Sequence, residues 1–207
     1  MGLAHVVVTQ VTRDDLPDEG AGHFARVVRA VREACGAEVV IEVLVPDFHA
    51  REDCLLAVLA ARPDVFNHNL ETVERLQPRI RPQADYRRSL AVLRRAAQFD
   101  RPPAVKSGLM VGLGETRDEV RRALDDLRAA GCQIVTVGQY LSPSPSHFPV
   151  AEFVRPEVFD EYRRYALGIG FRASACGPLV RSSYHAEEVW QGTARRVKDP
   201  RCEGRSA

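Results

Sequence analysis

The sequence predicts an α/β protein of parallel strand–helix units, arranged either as a barrel or as an open doubly wound sheet. Three observations carry that reading. Short apolar, β-branched runs alternate with stretches of helical periodicity five times along the chain. The polar residues with chemical potential gather just after the strands, where βα-barrels keep their chemistry. No G-x-G-x-x-G follows the first strand, which weakens the dinucleotide-binding version of the doubly wound sheet.

The elements follow in order. Residues 5–11, HVVVTQV, read as a strand and are followed by the turn-rich TRDDLPDEGAG. Phe24, Val27, Val28 and Val31 then fall on one face of a helix. EVVIEVLV (38–45) is a second strand, stopped by Pro46, and REDCLLAVLAAR a helix ended before Pro63. VFNHNL (65–70) is a third strand, RSLAVLRRAAQF a helix, and AVKSGLMV (104–111) a fourth strand. Thr116 and Glu119 form a T-x-x-E capping box. Val120, Ala123, Leu124 and Leu127 line the helix behind it, and Gly131 is placed to cap its end. QIVTVGQY (133–140) is a fifth strand, and Pro156 opens a last helix with Phe159, Tyr162 and Ala166 on one face. Residues 1–190 are expected to form the domain, and 191–207 a flexible tail.

Composition excludes several classes. The chain has 207 residues, 45% apolar and 28% charged, which suits one globular domain. A net charge of +1 gives no field to gather nucleic acid or an acidic membrane. No run is long and apolar enough for a membrane span, and the N-terminus lacks a signal-peptide pattern, so a cytoplasmic location is expected. Cys35, Cys54, Cys132, Cys176 and Cys202 lie far apart, matching neither a disulfide framework nor a metal-ligand set.

FNHNLET (66–72) is the most unusual strand end. Two Asn, a His and a Glu are costly there unless they bind something or cap a turn. Asn69 and Glu71, two apart in extended chain, would share a side and suit the vicinal hydroxyls of a ribose. Gly108, Gly112 and Gly114 in KSGLMVGLGET bare the surface for a flat ring or mark a strand-to-helix turn. The loop RDDLPDEGAG, with Asp14 and Asp15, is either an ammonium site or solvated. Glu42 would face the barrel interior as a paired charge or a site carboxylate. Arg88 belongs to a run with Arg79, Arg81 and Arg87, one of which could bind a carboxylate. Lys106 stands out because Lys198 is the only other lysine.

TRDDLPDEGA, IEVLVPDF, DVFNHNLET, KSGLMVGLGET, GQYLSPS and GPLVRSSYHA, in this order, resemble the lipoyl synthases, a family of radical S-adenosylmethionine (SAM) enzymes. The resemblance runs from about Val6 to Glu187. It implies a partial parallel (β/α) barrel of radical SAM type that lacks its first strand–helix unit. It also implies two [4Fe–4S] clusters, one of which binds and cleaves SAM. The 5′-deoxyadenosyl radical takes hydrogens from C6 and C8 of an octanoyl chain on a lipoyl-carrier protein, and the auxiliary cluster gives its sulfur to those carbons. The resemblance places the auxiliary cluster's serine ligand on Ser182, with Ser183 second. It places the SAM ribose on Asn69 and Glu71, its adenine along Gly108–Gly114, its ammonium near Asp14 and Asp15, and its carboxylate on Arg88. Lys106 is a further site candidate, and no catalytic residue is assigned.

The family's CxxxCxxC loop and auxiliary cysteine triplet are not in this sequence. TQVT also departs from the family's TSVD. The chain alone is therefore expected to be inactive, as an internal part of a longer protein with an N-terminal piece missing, one part of a split enzyme, or a non-catalytic relative. An unrelated βα-barrel that binds a nucleoside is the alternative. A bare barrel edge is expected to make the isolated chain marginally stable or prone to aggregate.

Overall fold

The strands His5–Thr9 (β1), Val40–Leu44 (β2), Val65–Asn67 (β3), Ala104–Val111 (β4), Ile134–Gln139 (β5) and Ala173–Gly177 (β6) form one parallel sheet, each beside its neighbours in sequence. The computed structural model describes residues 3–183 and Ala186; the expected tail lies outside them. The order β1-β2-β3-β4-β5-β6 never reverses, so the doubly wound alternative falls and the partial barrel stands.

The helices run outside the sheet in the same succession. Ala21–Cys35 (α1) packs on Glu52–Leu59 (α2), α2 on Tyr86–Ala97 (α4), α4 on Arg117–Ala129 (α5), and α5 on Pro156–Gly168 (α6). A short helix, Gln77–Ile80 (α3), precedes α4. Each long helix buries one stripe. In α1 it is Ala21, Phe24, Ala25 and Val28, and in α5 it is Val120, Ala123, Leu124 and Leu127.

Local chemistry fixes the boundaries. Asp85 caps α4 by accepting from Arg88 N at 2.7 Å. At α5 both halves of the capping box form, with Glu119 Oε2 accepting from Thr116 N at 2.7 Å. Arg75 adds a two-pronged pair to the same carboxylate, at 2.6 and 3.0 Å. Arg75 and the Thr116 amide hold the Glu119 carboxyl down at about 2. A depressed carboxyl stabilises the fold above its unfolded value and loses that contribution as pH falls toward about 2. Thr116→Ala is expected to cost about 1 kcal/mol in urea unfolding at neutral pH. The penalty should shrink once acid has protonated Glu119.

Three expectations need correction. A sixth strand, β6, exists where none was read. Helix α2 ends at Leu59, short of the expected run to Arg62, which has φ +57. The third strand does not continue as regular chain to Leu70. After Asn67 pairs with Lys106, pairing resumes only at Glu71, opposite Leu109. Four residues of one strand thus span three of the other, a bulge that bends the strand and re-aims its side chains. Glu71 sits at φ +72 as a result.

The barrel's inner face is polar at its floor. His5, Glu42, Asn67 and Lys106, one from each of the first four strands, meet there almost without solvent contact. Lys106 Nζ donates to Glu42 Oε1 at 2.7 Å, Asn67 Nδ2 donates to the same oxygen at 2.9 Å, and His5 Nε2 lies 3.4 Å from Oε2. Glu42 is therefore a paired interior charge. Among the described residues β1 and β6 are the sheet's edges, and Val6, Val7 and Val8 are only partly covered.

Candidate functional site

The bulge after β3 turns Asn69 and Glu71 toward the upper barrel interior. There they line a cavity of about 340 Å³ with Gly108 of β4, Thr136 and Gly138 of β5, and Ser182. Asn69 Nδ2 donates to Glu71 Oε1 at 3.3 Å. Asn69 Oδ1 is buried and has no hydrogen-bond partner among the described residues. An orphaned buried acceptor beside a carboxylate is unfavourable unless a donor arrives. Burial raises the Glu71 carboxyl above its ordinary range, against the pull of the Arg81 guanidinium 3.8 Å away and the Asn69 amide.

Bare backbone makes the remaining walls. A Cβ on Gly108 would stand 2.8 Å from Asn69 Oδ1 and 2.9 Å from Thr136 Oγ1. A Cβ on Gly138 would meet the Val180 carbonyl at 2.2 Å. Gly138 therefore lets the segment after β6 fold back across β5. Arg181 bridges that crossing, Nη1 donating to Val180 O at 2.8 Å and to Gln139 O of β5 at 3.4 Å. This carries Ser182 to the cavity, while exposed Ser183 does not line it. Tyr184 and His185, the rest of the RSSYH run, lie outside the described residues.

Other expected site residues go elsewhere. Gly112 (φ +95) and Gly114 (φ +98) shape the turn into α5 and do not line the cavity. A Cβ on Gly112 would lie 2.2 Å from Gln139 Nε2 and 2.4 Å from Glu152 O, so its bareness serves a backbone crossing rather than a ring. Arg88 is committed to Asp47, at 2.7 Å, and to Gln83 O. Asp15 is held in a two-pronged surface pair by Arg13. Asp14 faces Glu19 and His49 on the rim. Lys106 belongs to the buried floor. His68 points outward, Nδ1 to Val45 O at 2.9 Å and Nε2 to Ser89 Oγ at 3.0 Å. Burial lowers its pKa and keeps it neutral. Sequence reasoning missed Thr136 and Gly138, which sit in an apolar strand with no polar run to mark them.

The cavity suits a nucleoside. A ribose diol would donate to Asn69 Oδ1 and the Glu71 carboxylate, and the cavity that Gly108, Thr136 and Gly138 line has the volume for a base. The described cysteines do not suit an iron–sulfur cluster. Cys35 is exposed at the end of α1, whereas Cys54 and Cys132 are buried among helices. Burial raises the thiols of Cys54 and Cys132, and that of Cys176 to about 11. Cluster ligands are thiolates, and these raised, scattered thiols do not supply them.

Known proteins resemble the chain in sequence and in fold. Residues 1–127 match the radical SAM superfamily. The chain is 54% identical over 189 residues to lipoyl synthase of Caldicellulosiruptor saccharolyticus, covering 91% of this chain and 66% of that one. It is 54% identical over 187 residues to lipoyl synthase of Chlorobaculum parvum, covering 90% and 63%. The chain thus spans just under two thirds of these relatives. In fold it is similar to methylornithine synthase, with a TM-score of 0.59 at 15% identity over 95% of this chain and 67% of that one. Among the described residues no helix is long and apolar enough to cross a membrane.

Proposed function

The chain belongs to the radical SAM superfamily, and on that premise we propose that its upper cavity holds the adenosyl end of SAM for a lipoyl synthase reaction. The observation that carries the reading is the meeting of Asn69, Glu71 and Gly108 at one cavity, in a chain 54% identical to curated lipoyl synthases. Asn69 and Glu71 accept from the ribose hydroxyls, and Gly108 lets Asn69 close on the cavity wall. Bound SAM supplies the radical chemistry that opens unactivated C–H bonds. The chain's residues orient the nucleoside and exclude water around it. Ser182, brought to the same cavity by Val180 and Arg181, is the oxygen ligand offered to an auxiliary [4Fe–4S] cluster. The thiolates for two such clusters are not in this sequence. The substrate of the reading is an octanoyl chain on a lipoyl-carrier protein, which receives sulfur at C6 and C8 in the cytoplasm.

Two measurements test this. In equilibrium dialysis, labelled SAM and S-adenosylhomocysteine should bind the chain, and Gly108→Val should abolish binding by driving Asn69 and Thr136 out of place. Binding that Gly108→Val leaves intact would remove the nucleoside site from this cavity. For the reaction, the portions of the Caldicellulosiruptor enzyme outside the match can be joined to this chain. The chimera should convert an octanoylated carrier domain to the lipoylated form. A chimera that binds SAM and cleaves it without inserting sulfur would refute the lipoyl synthase assignment.

A further inference from the structure

Of the four arginines between residues 79 and 88, three are engaged with residues that do not line the cavity. Arg79 lies over the Phe148 ring at 5.3 Å, Arg87 makes a two-pronged pair with Glu74 at 2.8 and 3.2 Å, and Arg88 is held by Asp47. Arg81 turns instead to Glu71, its Nη1 3.8 Å from Oε1. We propose that Arg81 is a positioning residue of the cavity, fixing the Glu71 carboxylate through one oxygen so that the other is offered to the ligand's diol. The proposal rests on the nucleoside reading of that cavity.

The bonding around Glu71 is lopsided. Oε1 faces both protein donors, Asn69 Nδ2 at 3.3 Å and the Arg81 guanidinium. Oε2 has no hydrogen-bond partner among the described residues. Asn69 Oδ1 is unpartnered as well. One acceptor is therefore free on each of the two residues, and a vicinal diol brings two donors. The Glu71 backbone is fixed on both sides by β4, its N–H donating to Gly108 O at 2.9 Å and its carbonyl accepting from Met110 N at 2.8 Å. Only the side chain remains to be placed. It is 24% exposed, and a carboxylate covered to that extent is costly without a cation or donors beside it.

The backbone of Arg81 is held too. It closes α3, its N–H donating to Gln77 O at 2.9 Å and its carbonyl accepting from Ala84 N at 3.0 Å. Pro82 disfavours the helical conformation for the residue before it, and Arg81 sits at φ −137, ψ 74. Its guanidinium makes no hydrogen bond among the described residues, so nothing there competes with Glu71 for it. Among the described residues Glu71 is the one carboxylate that lines the cavity. The guanidinium that lines it, Arg181, gives Nη1 to Val180 O and Gln139 O. Burial pushes the Glu71 carboxyl up, and Arg81 and then Asn69 pull it down. Without the guanidinium, burial is opposed by a single amide.

Carbon-detected NMR of the full chain, labelled at its glutamate carboxyls, reads the pair without a ligand, with Glu71 assigned by the signal that Glu71→Gln removes. Arg81→Met keeps an apolar stem and removes the charge. The Glu71 titration should move to higher pH in Arg81→Met and return toward the parent in Arg81→Lys. Equilibrium dialysis of labelled S-adenosylhomocysteine then reads the site. Arg81→Met should weaken binding about 2- to 5-fold at neutral pH, the size expected of a partly exposed ion pair, and the loss of affinity in acid should begin at higher pH. In a Glu71→Gln background the same change should cost nothing further. A Glu71 titration that Arg81→Met leaves unmoved would overturn the proposal. A penalty undiminished in the Glu71→Gln background would also overturn it and put Arg81 on the ligand itself. A parent that binds no S-adenosylhomocysteine, while its Glu71 titration still answers to Arg81, would remove the nucleoside reading and the proposal with it and leave the ion pair standing.

Discussion

Replacing Lys106 with Met is expected to destabilise the protein by about 3–5 kcal/mol, the cost of leaving one partner of a buried ion pair alone. Burial by itself would raise the Glu42 carboxyl, but the His5 imidazole, the Lys106 ammonium and the Asn67 amide together hold it below its ordinary value. Without the ammonium the balance reverses, and Glu42 takes up a proton more readily in the folded than in the unfolded chain. A carboxyl whose folded pKa is raised stabilises the fold at low pH and loses that contribution as pH rises through the raised value. Urea unfolding of Lys106→Met should therefore give a larger deficit at pH 8 than at pH 5. Lys106→Met combined with Glu42→Gln should recover part of the loss. Equal deficits at both pH values would mean that Lys106 contributes packing and no charge compensation.

Glu71→Gln should behave in the opposite way. Burial disfavours the Glu71 carboxylate, so the protein carries that charge at some cost to stability. The amide removes the charge and keeps the shape. Stability at neutral pH should stay level or rise, while SAM affinity falls about 10- to 100-fold for the loss of a charge-assisted hydrogen bond to the ribose. In the parent, SAM affinity should also fall as acid protonates Glu71 through its raised pKa, and Glu71→Gln should flatten that dependence. A variant that loses stability and affinity together would mark Glu71 as structural. Asn69→Ala should likewise weaken SAM binding, since its unpartnered Oδ1 is the other acceptor facing the diol.

Much of this was legible in the residues, for physical reasons that differ from element to element. The capping box at Thr116 and the proline at Pro156 announce their helices through local bonding, which needs no tertiary context. Asn69 and Glu71 were legible because polar residues in an apolar strand need partners. Strand β6 was hidden because ASACG has small side chains and no β-branched residue; neighbouring β5 makes it a strand. The roles of His68, Arg88 and Lys106 were not readable either. Each is decided by a partner far along the chain: Ser89 and Val45, Asp47, and Glu42. Gly112 and Gly138 show the same limit, since both clear space for a distant carbonyl.

The unbroken strand order also governs how the molecule can be made. Each strand docks on the one before it, so during synthesis every new strand meets a partner that has already left the ribosome. The sheet can grow in one direction without waiting for distant sequence, and loop closure is confined to single strand–helix units. The cavity lined by Asn69 and Glu71 does not share this early start. Its wall of Val180, Arg181 and Ser182 is laid across β5 only after β6 has joined, so the barrel reaches its shape before the site can hold a ligand.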